Sequence, residues 1–312
     1  MIERHPWGGL CDPAARGPAD VAILGLPWDG AVCFRPGAAA APARLRALST
    51  SSPAISEDGF VVRAERLRVH DAGDIAPAAG QAESEAGRVA YLARVEARAG
   101  ELLAAHEAGR RPFLFSIGGD HSVSIPLLRA FAAQSPQPFG LVLLDAHPDL
   151  FDSYAGSRLS HACPMRRALE TGRLSPAHLL ILGTRSYNET ELDFMRAVGV
   201  RFVPARELAR LGTEGALALA RERLSGLSRV YLSLDIDVAD PACAPGTGAP
   251  VAGGLSSREL LDLTRGLLES LPVTAMDLVE IAPALDPTEA TAFLGLQLVF
   301  ETLAVLARRQ AA

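Results

Sequence analysis

GLVLLDAHPD, residues 140–149, opens with five residues that carry no polar side chain and closes on three polar residues spaced by two. The apolar run is too short for a buried helix and long enough for a strand covered on both faces. It places Asp145 at the carboxyl end of that strand, where open α/β sheets build their sites. Were the strand regular to its end, Asp145, His147 and Asp149 would all project from one side. Seven further segments are read as strands: VAILGL (21–26), LRVHDAG (67–73), PFLFSIGG (112–119), HLLILGTR (178–185), VRFVPA (200–205), VYLSLDID (230–237) and VTAMDLVE (273–280). Between them lie helix-period stretches at 83–109, 122–133, 161–171, 189–198, 213–224, 257–270 and 288–308. Strands alternating with helices predict an α/β fold, a three-layer α/β/α sandwich around a mostly parallel sheet of about eight strands. Clusters such as SSPAISEDG read as loops, and no repeat or linker divides the chain. Residues 1–312 are therefore expected to form one domain.

Composition narrows the chemistry. The 30 basic residues are all arginine, which removes Schiff-base catalysis and a P-loop lysine. A net charge of −6 argues against a broad nucleic-acid surface. Four cysteines, Cys11, Cys33, Cys163 and Cys243, form no CxxC pair, so neither a disulfide framework nor a zinc ribbon is expected. The opening MIERHPWGGLCDPAARG lacks the apolar core of a signal peptide. Gln297 and Glu301 interrupt the most apolar late stretch, so no membrane span is read and a cytoplasmic location is expected.

Two further clusters stand at strand ends: GGDHS (118–122) and SLDIDVADP (233–241). With the first they offer His121, Asp145, His147, Asp149, Asp235 and Asp237. A DxD pair is also a common turn or helix cap, the reading preferred for Asp240 before Pro241. A lone histidine is usually a hydrogen-bonded rim residue, as expected for His5, His70, His106 and His178. Co-occurrence decides otherwise for the six, because four carboxylates buried together without cations would be prohibitive. Two imidazoles and four carboxylates suit two manganese ions, or another fairly hard divalent metal, better than structural zinc. Two ions about 3.5–4 Å apart lower the pKa of a shared water from 15.7 toward roughly 7, giving a nucleophile at neutral pH.

Nearly end to end, the chain resembles the ureohydrolase family of arginases, agmatinases and related amidinohydrolases. The resemblance rests on LGLPWDGAVCFRPGAAAAPARLR (24–46), DAGDI (71–75), GGDHS, DAHPD, SLDIDVADPACAPGTGAPVAGGLS (233–256) and MDLVEIAP (276–283). It implies an arginase-like fold and one manganese held by His121, Asp145, Asp149 and Asp235. It implies a second manganese on His147, Asp145, Asp235 and Asp237, with Asp145 and Asp235 bridging. Glu280 would pair with a substrate guanidinium. His161 would shuttle protons from the first turn of a helix capped by Ser160, working with Asp149.

The segment GSRLSHA and the sequence LDPTEATA are similar to an agmatinase branch, whereas the loop with which arginases hold an amino-acid tail is missing. Agmatine, hydrolysed to putrescine and urea, is the expected substrate. Guanidinobutyrate, guanidinopropionate, formiminoglutamate, arginine and guanidine are the alternatives. Pro148 and Ala282 depart from the family's usual threonine and asparagine. Arg158, in the substrate-facing loop, would bind a carboxylate tail if it faced inward, and a solvated arginine paired with Asp152 is the plainer reading. A zinc deacetylase, a dinuclear phosphatase and a catalytically silent binding homologue are the other classes weighed. A homotrimer or homohexamer is expected from the resemblance alone.

Overall fold

The computed structural model describes residues 5–11, 19–104 and 111–310. Eight strands pair in one sheet: β1 Val21–Gly25, β2 Val69–Asp74, β3 Phe113–Ile117, β4 Gly140–Leu144, β5 Leu179–Thr184, β6 Arg201–Pro204, β7 Val230–Asp235 and β8 Val273–Val279. Their order is β2-β1-β3-β8-β7-β4-β5-β6, and every pairing is parallel. The expectation of a mostly parallel sheet thus resolves to a wholly parallel one.

Alternate strand residues enter two separate cores, as period-two geometry requires. Val21 and Ile23 face one core with Leu45, Leu267 and Leu303; Ala22 and Leu24 face the other with Tyr91, Leu127 and Met195. The first core lies under helices α1 (Ala41–Ser49), α6 (Ala205–Arg223), α7 (Ser257–Ser270) and α8 (Ala290–Arg309). The second lies under α2 (Glu85–Leu103), α3 (Ser124–Ala133), α4 (Pro164–Leu169) and α5 (Glu189–Val198). This is the three-layer sandwich. Helix α8 is long and apolar enough to cross a membrane, yet 83% of its most apolar window is buried inside the protein, which marks a core helix.

Several helix limits differ from the sequence reading. Helix α1 was not anticipated: APARLRALS offers Leu45 as its only large buried side chain, so no apolar period is visible. Helix α6 begins at Ala205 rather than 213, because Gly212 turns left-handed (φ 66°) and joins two helical pieces. Helix α4 begins at Pro164, not 161; Ser160 does not cap it, and His161 stands in the preceding turn. The end expected for the first long helix, and His106, fall outside the described residues.

Candidate metal centre

The sheet order brings the carboxyl ends of β3, β8, β7 and β4 side by side, and each delivers part of one site. After β3 the chain turns through Gly118 and Gly119 into a short 3-10 turn, His121–Val123. After β4, residues 145–149 are loop rather than extended strand, so their approach reflects loop geometry and not pleat. After β7, Asp235 and Asp237 flank the start of a 3-10 turn, Ile236–Val238. Asp149 and Glu280 both hold left-handed backbones (φ 50° and 64°), a strain for residues with a Cβ that commonly accompanies a functional role.

The His121 Nδ1 atom lies 3.1 Å from Asp145 Oδ2, 2.9 Å from Asp149 Oδ2 and 3.3 Å from Asp235 Oδ2. It nevertheless makes no aligned hydrogen bond, and neither does Asp145 Oδ2, although both are buried. Atoms converging without bonding one another describe a ligand shell. His147 Nδ1 lies 3.0 Å from Asp237 Oδ2 and 3.5 Å from Asp145 Oδ1. Ligand atoms of His121, Asp145 and Asp235, and of Asp145, His147 and Asp237, fall into two groups compact enough for an ion each, sharing Asp145.

The surroundings fix the tautomer this shell needs. Buried Asp277 accepts the hydroxyls of Ser233 (2.7 Å), Tyr231 (2.8 Å) and Ser124 (2.8 Å). Ser233 thereby donates its proton to Asp277 and takes the Nε2–H of His121 at 3.0 Å, which leaves the Nδ1 lone pair facing the carboxylates. The donor set fits two divalent cations.

Electrostatics agree. Burial, then Asp237 and Asp145, push the Asp235 carboxyl far above the usual range. Burial and Asp145 raise Asp149 as well. Burial favours a neutral His147 ring, but Asp237 and Asp145 outweigh it and push His147 up to about 12. Carboxylates raised by burial and mutual repulsion, and imidazoles raised by those carboxylates, mark a cluster that holds protons where cations are absent.

A cavity of about 290 Å³ opens over this cluster, lined by His147, Asp149, His161, Asp235, Asp237 and Glu280. His121 and Asp145 lie buried beneath it. Glu280 Oε1 accepts the backbone N–H of His121 (2.8 Å), and Glu280 N–H donates to the Gly119 carbonyl (2.9 Å). His161 Nδ1 lies 2.6 Å from the Ala31 carbonyl, an acceptor only, so Nδ1 carries a proton and Nε2 is the free nitrogen. The outer wall is Val32, Phe34, Phe151 and Tyr154, with the Tyr154 ring edge-on to His161.

Arg158 takes the plainer of its two expected readings, paired with Asp152, and not the inward, substrate-binding one. Its guanidinium leaves the cavity and bonds Asp152 (2.5 Å) and Glu170 (2.9 Å), carboxylates that buried Arg167 also holds. Asp240 is a turn residue, as expected, accepting the N–H groups of Ala242, Gly253 and Gly254. The sequence reading missed Glu191, which lines the cavity. It accepts the Leu150 N–H (3.0 Å), and burial pushes its carboxyl up to about 7. A capping box with Asn188 at the start of α5 was its only signal.

Residues 19–304 match the group described as the Arginase family. The chain belongs to the arginase family. Among its relatives, guanidinopropionase of Pseudomonas aeruginosa is 38% identical over 303 residues, covering 96% of this chain and 90% of that protein. An agmatinase of Sodalis glossinidius is 36% identical, over 91% of this chain and 86% of its own. The solved structure of proclavaminate amidinohydrolase from Streptomyces clavuligerus superposes with a TM-score of 0.83 at 35% identity, covering 95% of this chain and 94% of that one. As an arginase-family protein, the chain is a hydrolase of carbon–nitrogen bonds in linear amidines.

Proposed function

We propose that this arginase-family chain hydrolyses agmatine to putrescine and urea with two manganese ions. One ion would be held by His121, Asp145, Asp149 and Asp235, the other by His147, Asp145, Asp235 and Asp237. The observation that carries the choice of substrate is charge. Four aspartates balance two divalent ions, Glu280 matches the guanidinium, and Glu191, raised to about 7 by burial, is the remaining carboxyl on the cavity wall, one that a nearby ammonium would hold ionised. Among the described residues no arginine lines that cavity, so an ammonium tail is matched there and a carboxylate tail is not.

When bound, the ions lower the pKa of a shared water, which supplies the nucleophile. The protein's residues do the rest. Glu280 receives the planar guanidinium through paired hydrogen bonds and holds its carbon above the aspartates. Asp149 takes the proton released as the carbon–oxygen bond forms. His161 carries it on Nε2 to the departing amine, so that water and substrate yield amine and urea.

Hydrolysis of a carboxylate-tailed guanidino acid is the second reading, favoured by the 38% identity to guanidinopropionase. Measuring kcat/KM for agmatine, guanidinobutyrate, guanidinopropionate, arginine, formiminoglutamate and guanidine separates the two. Agmatine ahead of both guanidino acids by tenfold or more, about 1.4 kcal/mol, supports the first reading, and the reverse order rejects it. A cytoplasmic homotrimer or homohexamer completes the proposal.

A further inference from the structure

Gly119 packs so tightly on the Trp28 backbone that a Cβ there would come within 1.6 Å of the Trp28 carbonyl oxygen. The next N–H, of Asp120, donates to that same carbonyl at 2.7 Å. The Asp120 side chain is fully buried and does not line the cavity. Its Oδ2 accepts the N–H of Ala31 at 2.8 Å, and its Oδ1 accepts the N–H of Ser122 at 3.0 Å together with the Ser122 hydroxyl. The carbonyl of Ala31 in turn receives His161 Nδ1–H at 2.6 Å. The Ser160 hydroxyl, 3.2 Å from Nδ1, is the one other partner of that nitrogen among the described residues.

We propose that Asp120 is a positioning residue for His161. By anchoring Ala31 it presents that residue's carbonyl to Nδ1 and so fixes the tautomer in which Nε2 is left for proton transfer. The inference rests on the role given to His161 above. A carboxylate suits the task because both oxygens accept, and Asp120 meets donors on both sides. An amide of the same shape must turn an NH₂ toward either Ala31 or Ser122, setting donor against donor.

The test is Asp120→Asn in the manganese-loaded enzyme, with metal content measured beside two readouts. The first is carbethoxylation by diethyl pyrocarbonate at low excess, with chromatographic separation and mass spectrometry of the singly labelled peptides reporting which nitrogens of His161 react. Wild-type His161 is expected to take the reagent on one nitrogen, as a single labelled isomer, and the variant on both, as a mixture of two isomers. The second is kinetics with agmatine: kcat falls about tenfold while KM stays within about twofold, at unchanged metal content. Identical His161 labelling in the two proteins overturns the proposal, whatever happens to kcat. A rate loss restored by excess manganese with labelling unchanged overturns it too. If the variant does not fold, the wild-type result decides: uptake on both nitrogens rejects the fixed tautomer, and uptake on one supports it. If labelling responds as expected but no guanidino compound is hydrolysed by wild type, the functional reading fails and the anchoring stands.

Discussion

Asp235 belongs with His121 and Asp145 in one of the two ligand groups. Its Oδ2 is 3.3 Å from His121 Nδ1, and its Oδ1 accepts the Asp237 N–H at 2.8 Å. Asp235→Asn keeps that shape and removes one negative charge from the ligand cluster. Lewis-acid assistance contributes several kcal/mol, so kcat is expected to fall roughly a thousandfold, with fewer than two metals retained. Steady-state kinetics with metal analysis checks this; an unchanged rate rejects the assigned site. His161→Asn keeps a donor for the Ala31 carbonyl but has no second ring nitrogen. Its kcat should drop about 10²–10⁴-fold with KM little altered, and a loss confined to KM would contradict a proton-transfer role.

At the scale of elements, the glycine turn after β3 joins the metal loop to residues 28–31. Gly119→Ala drives a Cβ into backbone rather than into a yielding side chain. A cost of about 1–3 kcal/mol is expected, read as a lower unfolding midpoint, and an unchanged midpoint would mean the turn adapts. The elements most legible in the sequence were those with explicit end signals. Helices α5 and α7 match their expected limits because Asn188 with Glu191, and Ser256 with Glu259, form capping boxes. The six inner strands were visible as apolar runs because both faces of the sheet are covered there, whereas the edge strands β2 and β6 bury one residue each. Helix α1 escaped notice because alanine and proline bury little and show no period. The side on which Arg158 lies depends on Asp152, Arg167 and Glu170 meeting around it, a tertiary cluster that no local pattern reports.

For the whole molecule, the six-ligand cluster couples metal, protons and stability. In the metal-free protein, His147 is raised from 6.5 to about 12. The raised value stabilises the fold fully below pH 6.5, and that contribution declines as pH climbs toward 12. Metal binding needs the neutral ring and so runs the other way, strengthening as pH rises. Thermal unfolding of chelated protein should therefore show a midpoint falling between pH 6.5 and 9. The shift produced by saturating manganese should grow across the same range, toward about 4 kcal/mol at a thousand times Kd. A manganese shift that shrinks with pH would contradict ligation by His147.

The central claim is that two cations on this cluster make the chain a guanidino-compound hydrolase. Urea release from agmatine, followed while manganese is titrated into chelated protein, tests it most directly. The account predicts no urea from the stripped chain and full activity reached at two manganese bound per chain. Urea formation by the stripped chain, or none from any of the six guanidino compounds with two manganese bound, would contradict it.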